Sequence, residues 1–358
     1  MIEATAPGKL FIAGEYAVVE AGHPAILVAI DQFITVKIAP AKQAGSLLSE
    51  QYSDFPVRWT RQNNELVLDI RENPFHYLLA AIHVVEAYAQ EQGKALRFFD
   101  LIVTSELDNA NGRKYGLGSS GAVTVATVQA LAKFYGLTLS KLEQFKLAAL
   151  AHLRVKANGS CGDIAASVYG GWLAFTTFDA AWVHAQKGTI GELLQKDWPK
   201  LSIQPLTPPE DLRLLIGWTG SPASTSLLVD EVHQQRAHVA KDYQQFLQAS
   251  QLCVEAMIQG FHANDLALIQ TKIRENRHLL QALSRITGVA IETPALTKLC
   301  ELAETYEGAA KSSGAGGGDC GIVIFKQKSG VLPLISAWEK SGITPLPLHV
   351  YDRKEDDL

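Results

Sequence analysis

A chain of 358 residues with 47% hydrophobic and 19% charged residues has room for about two cores and excludes a mainly disordered or collagen-like protein. Its 4 cysteines (Cys161, Cys253, Cys300, Cys320) include no CxxC pair, against a zinc finger or disulfide framework, and a net charge of −5 argues against sequence-independent nucleic-acid binding. The opening MIEATAPGKL has no basic stretch before an apolar one, and no window holds 18 uninterrupted apolar residues, so a cytoplasmic protein without membrane contact is expected.

Leu10 to Val19 and Ala25 to Ile38, rich in Val, Ile, Phe and Tyr and bounded by Gly or Pro, predict strands. Residues 40–64 predict loops, with a hairpin strand at Glu65 to Ile70. Apolar residues at helical spacing from Tyr77 to Gln92, halted at Gly93, predict a helix. Phe98 to Leu107 predicts a strand, and Asp108 to Tyr115, with Asn111-Gly112, a turn. Gly121 to Tyr135 is apolar or small on nearly every side, which predicts a helix buried on most faces. Helices at Leu139–Lys156 and around Ile164–Val168 follow, then a strand at Trp172–Phe178. Pro199, Pro205, Pro208 and Pro209 mark 187–211 as the crossing between two domains, with expected extents of 1–195 and 210–358. Beyond it come a strand at Leu212–Trp218, long amphipathic helices at roughly 226–260 and 264–285, and a shorter one near 294–306. Strands at Gly321–Phe325 and Pro345–Tyr351 close the chain. Neither part alternates strand and helix as a doubly wound sheet does, so the fold class is α+β in two domains.

Three glycine-rich segments carry the chemistry. Gly116-Leu117-Gly118-Ser119-Ser120-Gly121 leads straight into the buried helix. Glycines let backbone approach a bulky anion, and the first N–H groups of a helix lack internal partners. The helix dipole adds about half a positive charge there. Ser119 and Ser120 can cap the helix, donate to phosphate oxygens or ligate Mg²⁺. The same string matches GxGxxG, yet no strand ends at its first glycine, and Lys141 and Glu143, some 20 residues on, lie in another helix. The dinucleotide reading fails on context. An ordinary glycine turn stays open for this segment alone.

Lys311-Ser312-Ser313-Gly314-Ala315-Gly316-Gly317-Gly318-Asp319-Cys320-Gly321 reads as a linker or hairpin, or as a loop whose backbone approaches a ligand. In Asn158-Gly159-Ser160-Cys161-Gly162-Asp163, Asp163 fits a helix N-cap and a catalytic carboxylate equally. Lys9 and Lys114 read as solvated lysines or as cations for an anionic ligand. GxxxxGK[ST], HExxH and GxSxG are absent from the sequence, and the 10 histidines show no ligand spacing.

Taken together, PGKLFIAGEYAVVE, KYGLGSSGAVTVA and KSSGAGGGDCGIV resemble, in order and separation, motifs 1, 2 and 3 of the GHMP kinase superfamily. The resemblance runs from about residue 5 to 325. Within the superfamily it is strongest to the bacterial phosphomevalonate kinases, with Tyr16 where mevalonate kinases usually have histidine. It implies a ribosomal-protein S5 domain 2-like N-terminal domain, a ferredoxin-like C-terminal domain and an active site between them. It also implies ATP-dependent, Mg²⁺-assisted phosphorylation of phosphomevalonate in isoprenoid biosynthesis, or of mevalonate or another small alcohol. Gly116 to Gly121 would cradle the ATP phosphates, and Ser120 would ligate the metal. Lys9 and Asp163 would be catalytic. Glu15, Tyr16, Lys114, Ser160, Ser313, Gly314 and Ala315 would line the acceptor site of a monomer or homodimer acting on small molecules. Mevalonate kinases carry a Mg²⁺-ligating glutamate where this sequence has His152, and an imidazole substitutes poorly for a hard oxygen ligand. A phosphate acceptor, with a second pKa of about 6, has no proton to surrender at neutral pH. Charge neutralisation by Lys9 and Lys114 is therefore expected to matter more than Asp163 acting as a base.

Overall fold

The computed structural model describes residues 1–50, 55–70, 74–107, 115–156, 159–221, 225–326 and 331–352. Strands β1 (Ile2–Ala13) and β2 (Pro24–Ala41) form a long antiparallel hairpin. The first strand was expected to reach Val19 but stops at Ala13. Gly14 (φ 89) and Tyr16 (φ 64) turn the backbone, and Ala17–Val19 is a single 3-10 turn. Two further strands, β3 (Gly45–Ser49) and β4 (Val57–Gln62), occupy the stretch expected to be loop, and β4 pairs with β5 (Glu65–Leu68).

With β6 (Phe98–Ser105), β7 (Trp172–Thr176) and β8 (Ser202–Leu206), these strands make an eight-stranded sheet among the described residues. Its order is β5-β4-β3-β6-β2-β7-β8, with β1 paired to β2. The pair β3–β6 is parallel and the other pairs are antiparallel. The sheet runs past the expected boundary at 195 as far as β8. An edge strand tolerates Pro205, so prolines here do not exclude pairing.

Helices α1 (His76–Glu91), α2 (Ser119–Tyr135), α3 (Lys141–Val155) and α4 (Gly162–Tyr169) follow the expected order, with α2 and α4 packed on β1 and β2. Between Gly121 and Tyr135, only Lys133 is exposed. The hydroxyls of Thr124 and Thr127 donate to the carbonyls of Ser120 and Val123, both at 2.7 Å, so a helix enclosed on nearly every side leaves them no unmet donor. Two short helices, α5 (Ala180–Ala185) and α6 (Ile190–Gln195), precede β8.

The second sheet contains β9 (Leu212–Trp218), β10 (Ala309–Ser312), β11 (Cys320–Lys326) and β12 (Thr344–Leu346), ordered β10-β11-β9-β12 and wholly antiparallel. Its helices are α7 (Thr225–Gln235), α8 (Ala240–His262), α9 (Leu266–Thr287), α10 (Pro294–Thr305) and α11 (Val331–Lys340). The first strand of this sheet lies between the third and fourth, as in ferredoxin-like units. The single helix expected at 226–260 is interrupted between α7 and α8. The closing strand ends at Leu346, after which the chain crosses back to β2: Tyr351 N donates to Ala29 O (3.0 Å), and Ile30 bridges Val350. One hydrophobic core runs from the large sheet through Ile216, Trp218, Val254 and Ile322, joining the two parts. No helix among the described residues is long and apolar enough to cross a membrane.

Candidate active site

The glycine loop ends at Gly118 (φ 81), and α2 begins without a side-chain cap. Its first N–H groups and the positive end of the helix dipole are therefore directed at whatever occupies the adjoining space. The loop is tied to β1 because Lys9 N donates to Leu117 O at 2.8 Å, while the Leu117 side chain is buried in the core.

Lys9 extends beneath this loop. A Cβ at Gly118 would come within 2.9 Å of Lys9 Cε, so a side chain there would displace the lysine. The ammonium lies 3.5 Å from Gly116 O and 5.3 Å from the centre of the Phe11 ring. Burial pushes the Lys9 pKa below the usual lysine range, and the negative charges of Asp163, Asp319 and Glu15 oppose that shift.

Asp163 sits in the first turn of α4, not at its N-cap as one sequence reading allowed. Cys161 (φ 58) is the N-cap residue, and Asp163 Oδ1 accepts from Ile164 N at 3.0 Å. Its other oxygen, Oδ2, lies 3.5 Å from Ser120 Oγ. A Cβ at Gly121 would come within 2.7 Å of the Asp163 carboxyl, so glycine permits α2 and α4 to meet here. Ser160 Oγ accepts from Gly162 N (3.3 Å), shaping the same helix entry. His152 is buried against Tyr77, with ring centres 5.1 Å apart, and burial pushes its pKa down.

The segments of motifs 1 and 3, around Phe11–Tyr16 and Lys311–Ala315, are clamped together. Lys311 and Glu15, both fully or nearly fully buried, form an ion pair, and Lys311 Nζ also donates to Ser312 O at 2.6 Å. Gly314 N donates to Glu15 Oε1 (3.4 Å), while Oε2 has no hydrogen-bond partner among the described residues. The Tyr16 hydroxyl donates to Ala315 O at 2.6 Å. Ser313 Oγ donates to Phe11 O (2.9 Å) and accepts from Phe11 N (3.0 Å).

A cleft of about 490 Å³ is lined by Lys9, Gly116 to Ser120, Ser160 and Asp163, together with Glu15, Tyr16, Ser313, Gly314 and Ala315. Gly121 adjoins it through Asp163. Lys114 lies outside the described residues. Tyr77, Lys156 and Asp319 also line the cleft and were not singled out by sequence reasoning. Asp319 had one signal, its place between a glycine run and a strand; Tyr77, on α1, and Lys156, just past the end of α3, had none, since neither stands in a local motif.

Magnesium takes oxygen ligands, often one or two from protein with phosphate and water oxygens completing the shell. The Ser120 hydroxyl and Asp163 carboxylate, close together beside the helix end, fit that requirement. His152 supplies no oxygen, and no cluster of three or more His, Cys, Asp or Glu among the described residues could hold a metal.

The chain is similar in sequence and fold to known proteins. Residues 76–171 match the GHMP kinases N terminal domain, and residues 257–344 match the GHMP kinases C terminal domain. The chain is 41% identical to the phosphomevalonate kinase of Streptomyces sp. (strain CL190), covering 96% of this chain and 95% of that one. A solved Lin0012 protein from Listeria innocua superposes with a TM-score of 0.91 at 41% identity, covering 98% of each chain. Streptococcus pneumoniae phosphomevalonate kinase in complex with phosphomevalonate and AMPPNP superposes with a TM-score of 0.85 at 30% identity, covering 98% of this chain and 100% of that one. With both sheets, both halves of the sequence and nearly the full length in agreement, the chain belongs to the GHMP kinase family.

Proposed function

We propose that this protein transfers the terminal phosphoryl group of ATP to phosphomevalonate, forming diphosphomevalonate for isoprenoid synthesis. The observation that carries this reading is the meeting of an uncapped helix N-terminus with a buried lysine in one cleft. The similarity to phosphomevalonate kinases supplies the acceptor.

Phosphoryl transfer passes through a loose transition state, so the protein's task is positioning and charge neutralisation. An acceptor that is already a phosphate dianion needs no base; the obstacle is repulsion between two polyanions. The N–H groups at the start of α2 bind the nucleotide phosphates, and the glycines around them let the backbone approach. Lys9, fixed at Gly116 O, neutralises charge between donor and acceptor. Asp163 orients the Ser120 hydroxyl and faces the Lys9 charge. Mg²⁺, when bound with the nucleotide, would be held by Ser120 and Asp163 and would neutralise phosphate oxygens. Glu15, Tyr16, Ser160, Ser313, Gly314 and Ala315 shape the acceptor side.

Coupled measurement of ADP release with different acceptors tests the reading. With ATP and Mg²⁺ present, kcat/KM for phosphomevalonate is expected to exceed that for mevalonate by about 10²-fold or more, since a site built around a charged group rejects an analogue lacking it. Equal or faster turnover of mevalonate would overturn the assignment.

A further inference from the structure

Asp319 is a carboxylate in a cleft that must receive two polyanions. Such a charge opposes ligand binding unless it serves a cation, and its surroundings show which one. Its backbone is held by the segment just beyond β9: Asp319 N donates to Ser221 O (2.8 Å), and its carbonyl accepts from Thr219 N (3.0 Å) and Thr219 Oγ1 (3.1 Å). This fixes the residue in the left-handed region at φ 52 and leaves it only 6% exposed.

From this anchorage, the side chain reaches the phosphate-binding loop of the other half of the chain. A Cβ at Gly116 would come within 2.4 Å of Asp319 Oδ2, so the carboxylate lies directly against the loop. The next residue continues the contact, as Cys320 Sγ donates to Tyr115 O at 3.2 Å. Tyr115 in turn meets Trp218 edge-on, with ring centres 5.2 Å apart. The Gly116 carbonyl, on the same residue that Asp319 touches, faces the Lys9 ammonium at 3.5 Å. Gly116 is therefore gripped by a lysine from the first sheet and a carboxylate from the turn entering β11.

We propose that Asp319 is a positioning residue, contributed by the C-terminal part of the chain, that holds the Lys9 ammonium and the Gly116 turn in the arrangement needed for phosphoryl transfer. Asp163 approaches Lys9 from α4 on the N-terminal part. Asp319 reaches Gly116, whose carbonyl faces Lys9, from the C-terminal part, so the placement of Lys9 depends on both halves of the chain. This role lies outside the notion of Asp319 as part of a plain glycine turn, because such a turn requires no charge.

The test is Asp319→Asn in the full-length protein. Asparagine keeps the shape and tolerates the left-handed conformation, so the thermal midpoint and the Kd for ATP are expected to stay near wild type, the Kd within about threefold. kcat is expected to fall by about 10–10²-fold, as for loss of one preorganised electrostatic contact. In a Lys9→Ala background, the same substitution is expected to cost less than about threefold, since residues acting through one another are not additive. Asp319→Gly, which also accepts φ 52, is the second variant and is expected to show the same kcat loss. Wild-type kcat in either folded variant, or an equal loss with and without Lys9, would overturn the proposal. The inference rests on the kinase reading, which wild-type turnover with phosphomevalonate tests separately. The ratios of variant to wild type test Asp319 with whichever acceptor the wild type uses.

Discussion

Lys9→Ala is expected to lower kcat by about 10²–10³-fold or more, the usual cost of removing a preorganised electrostatic contact. The lysine is nearly buried, its ammonium is aimed at Gly116 O, and its carbon chain fills the space beneath Gly118. Water does not readily replace a cation in such a place. Alanine would remove the positive charge that faces the Asp163 and Asp319 carboxylates beside the glycine loop. Repulsion between donor and acceptor would then be greatest in the transition state, where their oxygens come closest. Steady-state kinetics at saturating ATP and phosphomevalonate would measure the loss. Asp163→Asn is expected to be milder, because a phosphate dianion gives that carboxylate no proton to accept. Near wild-type turnover in Lys9→Ala, or a larger loss in Asp163→Asn, would contradict the division of roles.

Lys311→Met carries the largest expected effect on stability. Removing one member of a buried ion pair strands the other, at a typical cost of about 3–5 kcal/mol. Here Glu15 would be left with Oε1 deprived of its lysine and Oε2 already lacking a partner among the described residues. Among the described residues, Gly314 N would continue to face it, at 3.4 Å. The damage would extend to the Tyr16–Ala315 bond, because both contacts join the same two segments. Equilibrium denaturation of Lys311→Met should show the loss, and the double variant Glu15→Gln/Lys311→Met should recover part of it by removing the stranded charge. A single variant within about 1 kcal/mol of wild type would show that the pair contributes little to docking the two segments.

Much of the site was legible in the sequence because its chemistry depends on backbone. Glycine runs next to apolar helical or strand patterns announce where a loop approaches an anion, and Gly116 to Gly121 lies at the start of α2 as that pattern implies. The almost entirely apolar surface of α2 likewise foretold its enclosure. Signals failed where a few long-range contacts decide the outcome. β3 buries alternate residues, but two of them are Gly45 and Ser49, and in β3 and β4 Leu47 and Trp59 are the fully buried hydrophobics, too few to reveal a period of two through the polar surroundings. Nothing near Gly14 or Tyr16 in sequence showed that both take positive φ and end β1. Lys311 read as a residue flanking glycines; its burial depends on Glu15, 296 positions away. Asp319 and Tyr77 reach the cleft from different elements, and only the packing of those elements brings them to the same cleft as Lys9.

The most direct test of the account is a crystal structure of this protein with phosphomevalonate and a non-hydrolysable ATP analogue bound together. The account predicts the terminal nucleotide phosphate at the first N–H groups of α2, with the acceptor's phosphate facing it and Lys9 Nζ in contact with oxygens of both. An acceptor bound with its carboxylate toward Lys9 and its phosphate in solvent, or a nucleotide triphosphate remote from Ser119 and Ser120, would contradict it.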